Sequence, residues 1–156
     1  MTGEKGLTAL VVDDHDDSRD LLVKMLSLHP ELQLNVIEAK NGIEAYDKVT
    51  KETPDILYTG IMMPGISGIE LLKRLVNEKI KKPTFVVSAT IATSEGPLAI
   101  DLSRQMYTDS QMEYLDKKVA NADVYPGFTG IQKPFDYKEV INRTKIVKEM
   151  LYNDIR

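Results

Sequence analysis

Apolar positions along the chain fall into short unbroken runs that alternate with longer stretches of helical spacing. Thr8-Ala9-Leu10-Val11-Val12 is rich in β-branched residues and is followed at once by Asp13-Asp14, which predicts a strand buried on both faces and ending in a polar loop. Asp16, Asp17 and Ser18 offer N-cap oxygens ahead of Leu21, Leu22, Met25 and Leu26, so a helix is expected from about Ser18 to Leu28, closed by Pro30. Leu34 to Ala39 reads as a second strand before the Asn41-Gly42 turn, and Ile43, Tyr46 and Val49 carry a second helical stripe to Glu52. Pro54 leads into a third strand, Asp55 to Thr59. The three glycines and Pro64 between Gly60 and Gly68 mark a loop, and Ile69, Leu72, Leu75 and Val76 form the third helical stripe. Thr84 to Ser88 is a fourth buried strand and Thr129 to Gln132 a short fifth. A last helix starts at Asp136, with Val140, Thr144, Val147 and Leu151 on one face.

Strands that alternate with helices pair in parallel, because each return to the sheet needs a covering crossover of right hand. The fold class is therefore doubly wound α/β. One stretch breaks the alternation: 45 positions separate Ser88 from Lys133, where one helix and two loops need only about 20. Ser94 or Glu95 before Pro97, with Leu98, Leu102 and Met106, predicts a helix from about Pro97 to Tyr107. The capping pattern Ser110-x-x-Glu113, with Met112, Leu115 and Val119, predicts a second from about Gln111 to Asn121. The extra helical segment spans about 94–126. Its Met106, Tyr107, Met112 and Tyr114 suit core packing or an adaptable contact surface. In the second case Tyr107 and Tyr114 are the anchors for a partner or a homodimer.

Composition narrows the function classes. The 156 residues suit one domain, expected to span 1–156, and 42% apolar with 28% charged residues support a core without staples. The absence of cysteine removes disulfides, thiolate nucleophiles and Cys-based zinc sites, leaving His15 and His29 for metal or acid/base work. No stretch has the length of a membrane span, and Met1 to Gly6 lack the apolar core of a signal peptide, so a cytoplasmic protein is expected. A net charge of −4 argues against nucleic acid as a direct partner. The densest basic run, Lys79, Lys81 and Lys82, reads as a solvated helix end.

Chemistry gathers where the strands end, which in an open parallel sheet is one crevice. Strand one delivers Asp13 and Asp14, strand three Thr59 and Gly60, strand four Ser88, and strand five Lys133. Paired carboxylates on one loop form a hard-oxygen site of the kind Mg²⁺ takes. A lysine and a hydroxyl beside them grip a phosphoryl group.

These stretches resemble the receiver domains of two-component response regulators over essentially the full chain. The resemblance is carried by Leu10-Val11-Val12-Asp13-Asp14 with Arg19, Pro54-Asp55-Ile56-Leu57, Ile61-Met62-Met63-Pro64-Gly65-Ile66-Ser67-Gly68, Val87-Ser88-Ala89 and Lys133-Pro134-Phe135. It implies a five-stranded parallel sheet in the order 2-1-3-4-5. It also implies phosphorylation, by a histidine kinase or phosphotransfer protein, of an aspartate ending strand three with Mg²⁺ present. By the same resemblance Asp14 is a direct metal ligand, Asp13 its companion, and the Met62 carbonyl a third. Ser88 and Lys133 hold the phosphoryl group, and Pro134 stands where the family often has a cis peptide.

The departure lies at the phosphoacceptor, whose place is taken by Gly60. Asp55 is five residues earlier, about 16 Å along an extended strand, and Thr59 faces the opposite side of the sheet. Lesser departures are Ser67, where the loop often has Asp, and Gly130 or a neighbour, where an aromatic switch residue would stand. A receiver-type module that signals by contact with a downstream protein without phosphorylation is expected, with weak or absent Mg²⁺ binding. An ordinary phosphoaccepting regulator whose aspartate is here replaced by glycine is the alternative, and a magnesium-dependent phosphatase using Asp13 or Asp14 is a third reading. No attached output domain is expected, so contact is the expected output.

Overall fold

The structure, a computed structural model, describes residues 6–119 and 127–155. Five strands form one parallel sheet: β1 (Thr8–Val12), β2 (Asn35–Ala39), β3 (Ile56–Thr59), β4 (Thr84–Ser88) and β5 (Gly130–Gln132), in the order β2-β1-β3-β4-β5. The helices are α1 (Asp16–Leu28), α2 (Gly42–Glu52), α3 (Gly68–Asn77), α4 (Gly96–Arg104), α5 (Asp109–Lys118) and α6 (Tyr137–Tyr152). The central strands β1, β3 and β4 are buried along almost their whole length. That is why they carry unbroken apolar runs rather than alternation.

Several local expectations shift. Helix α1 begins at Asp16 rather than Ser18, with His15 as N-cap residue making no side-chain cap, so Asp16 and Asp17 sit inside its first turn. Leu21 is 50% exposed and Ile43 59% exposed, so α1 seats Leu22 and Leu26 on the core and α2 seats Ala45 and Val49. Both outliers lie one position off the face that the sheet covers.

The segment between β4 and β5 holds two helices as expected. The second is capped by Thr108 and Gln111, whose side chains and backbone N–H groups bond reciprocally, rather than by Ser110 and Glu113. That helix ends at Lys118, with Val119 already extended, short of the expected Asn121, and the expected end of the extra segment at 126 lies outside the described residues.

Tyr107 corrects the reading of an exposed anchor. It is 2% exposed, and its hydroxyl donates to the Thr84 carbonyl at 2.9 Å, inside the sheet's edge. Met106 is buried beside it. Tyr114 is half-buried against the core, and its hydroxyl is itself buried with no hydrogen-bond partner. Helix α5 therefore closes onto the molecule. Leu115 is fully buried, the Gln111 amide donates to the Ile155 carbonyl at 3.0 Å, and Lys118 reaches Glu149 of α6 at 3.3 Å.

Candidate functional site

Backbone hydrogen bonds carry the sheet one residue past each strand end and so fix the site residues. Asp13 N–H donates to the Ala39 carbonyl at 3.2 Å, Gly60 N–H to Val12 at 3.0 Å and Lys133 N–H to Ser88 at 3.0 Å. Asp13, Asp14, His15, Gly60, Ile61, Met62, Val87, Ser88, Ala89, Thr90 and Lys133 line one cavity of about 110 Å³. The sheet thus brings together the residues singled out at its strand ends.

Lys133 Nζ donates to Asp13 Oδ2 at 2.6 Å, with side-chain exposures of 19% and 10%. The other oxygen of Asp13 accepts the backbone N–H of His15 at 2.9 Å, and the carbonyl of Asp13 accepts from Arg19 Nη1 at 2.8 Å. Arg19 also bonds Glu38 and Asp16, and its hydrogen bond and charge hold the Asp16 carboxyl below the usual range. Asp14 carries the more accessible carboxylate, 28% exposed, and lies 3.2 Å from His15 Nδ1. Asp13, Asp14 and His15 offer ligand atoms that all lie within 4.8 Å of one another.

Ser88 is held in a local turn. Its Oγ accepts the Thr90 N–H at 3.0 Å and lies 2.9 Å from the Thr90 hydroxyl. The Lys133-Pro134 peptide is cis, as the resemblance implies.

At position 60 there is backbone and nothing more. Asp55 sits at the opposite end of β3, where its carboxylate accepts the Thr8 N–H at 2.9 Å. Thr59 is fully buried, and its hydroxyl donates to the Gly60 carbonyl at 3.0 Å. Gly130 opens β5, and the aromatic side chain nearest it in sequence, Phe128, is buried with its ring tilted against Phe85 at a centroid distance of 5.4 Å, while Phe85 stacks on Tyr58 at 5.2 Å. His15 and Thr90 are the site residues that pattern reasoning did not place. Thr90 carries a signal, since a hydroxyl residue two positions after another is a common side-chain turn. His15 carries none beyond its neighbours.

A family model described as the response regulator receiver domain matches residues 9–126. The chain belongs to that family. Among curated relatives, an uncharacterized response regulatory protein of Vibrio cholerae is 33% identical over 113 residues, 72% of this chain and 43% of the relative. A protein-glutamate methylesterase/protein-glutamine glutaminase of Halalkalibacterium halodurans is 39% identical over 93 residues, 60% of this chain and 26% of the relative. The receiver therefore spans less than half the length of these two relatives.

Solved structures agree on the fold. The receiver domain of the Francisella response regulator 1452 superposes with a TM-score of 0.67 at 23% identity, covering 94% of this chain and 99% of that one. The REC domain of AraT from Geobacillus stearothermophilus gives 0.71 at 20% identity, covering 97% and 100%. The family match ends before Lys133, which the sheet nevertheless returns to Asp13. Among the described residues no helix is long and apolar enough to cross a membrane.

Proposed function

We propose that this receiver domain is a pseudo-receiver, which transmits a signal by protein contact without being phosphorylated at position 60. One observation carries the reading: the cavity where β1, β3, β4 and β5 end holds Asp13, Asp14, Ser88 and Lys133 around Gly60, which has no side chain to accept a phosphoryl group. Neither neighbouring oxygen substitutes, because Asp55 is committed to the far end of the sheet and the Thr59 hydroxyl to the Gly60 carbonyl. A phosphatase reading lacks a second carboxylate placed for acid/base work, since Asp13 is already bonded to Lys133 and to the His15 N–H.

The donors present fit Mg²⁺ in type: the Asp14 and Asp13 carboxylates and the Met62 carbonyl are hard oxygens. Bound there, the ion would supply charge neutralisation for a phosphoryl group. The set is one carboxylate short, and Lys133 already satisfies Asp13, so affinity is weak. Lys133 offsets one of the two carboxylate charges in the ion's place, and the Ser88–Thr90 turn keeps the switch hydroxyl engaged. The partners are a histidine kinase or phosphotransfer protein that docks without transferring phosphate, and a downstream protein target.

The test is incubation with radiolabelled acetyl phosphate or a promiscuous histidine kinase. No label is expected on the chain as it stands, and label is expected on Gly60→Asp. Label on the unaltered chain would overturn the reading.

A further inference from the structure

Gly60 is a glycine without a steric need to be one. A Cβ at position 60 would approach nothing closer than the Val12 carbonyl oxygen at 3.8 Å and the Val87 carbonyl oxygen at 3.9 Å. At Gly68 a Cβ would lie 1.9 Å from the Gly60 oxygen, so that glycine is obligatory. The space at position 60 opens into the cavity of about 110 Å³ bounded by Asp13, Asp14, Met62, Ser88, Thr90 and Lys133. Such space takes a water for about every 10–15 Å³, which leaves room for several heavy atoms. Acetate has four.

The walls suit a carboxylate. Lys133 has three N–H donors and spends one on Asp13, and Ser88 and Thr90, whose hydroxyls bond each other at 2.9 Å, line the same space. Charge sets the condition. Asp13 and Lys133 cancel, which leaves Asp14 as one net negative charge, so an anion entering alone is repelled. A divalent cation on Asp14 reverses that sign and gains a further oxygen ligand from the entering anion.

We propose that the Gly60 cavity binds a small free carboxylate together with a divalent cation, the carboxylate occupying the place of the side chain that position 60 lacks. This rests on the reading of Gly60 as an empty acceptor position. No covalent bond forms, and the two ligands raise one another's affinity by the same factor. The cavity has room for formate or acetate.

The experiment measures Mn²⁺ binding by water-proton relaxation in chloride, formate, acetate or inorganic phosphate. Formate or acetate is expected to tighten Mn²⁺ binding at least about fivefold over chloride, the lower end of ordinary site coupling. Gly60→Asp should bind Mn²⁺ tightly with no dependence on added carboxylate. Affinity in the unaltered chain that ignores formate and acetate overturns the proposal, as does coupling to phosphate alone or an equal acetate effect in Gly60→Asp. The two readings fail separately: phosphoryl label on the unaltered chain removes the empty-acceptor reading. An unlabelled chain whose Mn²⁺ affinity ignores carboxylates removes only this inference.

Discussion

Lys133 and Asp13, 120 positions apart, meet at 2.6 Å across the crevice where β1 and β5 end. The pair joins the edge strand β5 to β1 across the ends of the two strands between them. Breaking it strands the survivor. Loss of one partner of a fully buried pair costs about 3–5 kcal/mol. Here the two side chains are 19% and 10% exposed, so Lys133→Ala is expected to cost less, about 1–3 kcal/mol. The urea midpoint reads this, and Asp13→Asn in the Lys133→Met background should recover most of the loss. A change below about 0.5 kcal/mol would mean that the pair acts as an ordinary solvated one.

Gly60 and Gly68 should respond oppositely to the same substitution. Gly60→Ala places its methyl in ordinary contact and is expected to leave stability within about 0.5 kcal/mol, whereas Gly68→Ala drives a methyl into the Gly60 carbonyl and should cost several kcal/mol or prevent folding. Circular dichroism melts of the two variants side by side decide it. Equal behaviour would contradict the loop geometry between β3 and α3.

The two tyrosines of the extra segment should separate. Tyr107→Phe leaves the buried Thr84 carbonyl without its donor and is expected to cost about 1–3 kcal/mol. Tyr114→Phe removes a buried hydroxyl that has no partner, so it should be neutral or slightly stabilising. Sedimentation velocity on Tyr107→Phe is expected to show unchanged association. A shift in association with an unchanged melting temperature would return Tyr107 to a contact role.

Stability should fall on the alkaline side. Burial pushes the Tyr58 and Tyr107 phenols well above the ordinary tyrosine range, with Thr144 and the Thr84 carbonyl as their partners. A folded-state pKa raised above the unfolded value of about 10 contributes stability that is complete below pH 10. Above that pH the unfolded chain ionises while the folded one does not. Each phenol therefore removes about 1.4 kcal/mol per pH unit. Denaturation curves between pH 8 and about 11.5 test this, with Tyr58→Phe and Tyr107→Phe each flattening the decline; no flattening in either variant would exclude buried phenols as its source.

The parallel sheet, the two helices between β4 and β5 and the meeting of Asp13, Asp14, Ser88 and Lys133 at the strand ends were legible in the sequence, while the strand order came with the family resemblance. Buried strands and amphipathic helices write their burial as periodicity, and parallel topology forces strand ends onto one edge. The gap at position 60 was legible too, since a missing side chain needs no coordinates. What the chain alone did not decide was orientation. Tyr107 follows α4 on a pattern that suits core packing first and a contact surface second, and only the docking of this segment against β4 sends its hydroxyl to Thr84. Leu21 and Ile43 sit on helical stripes by spacing, yet the sheet covers the adjacent positions instead, because a face about 100° wide leaves its margin to packing. The contact between Lys133 and Asp13 and the free space at Gly60 depend on how far apart the strand ends come to rest. That distance belongs to the assembled sheet and to no local stretch of residues.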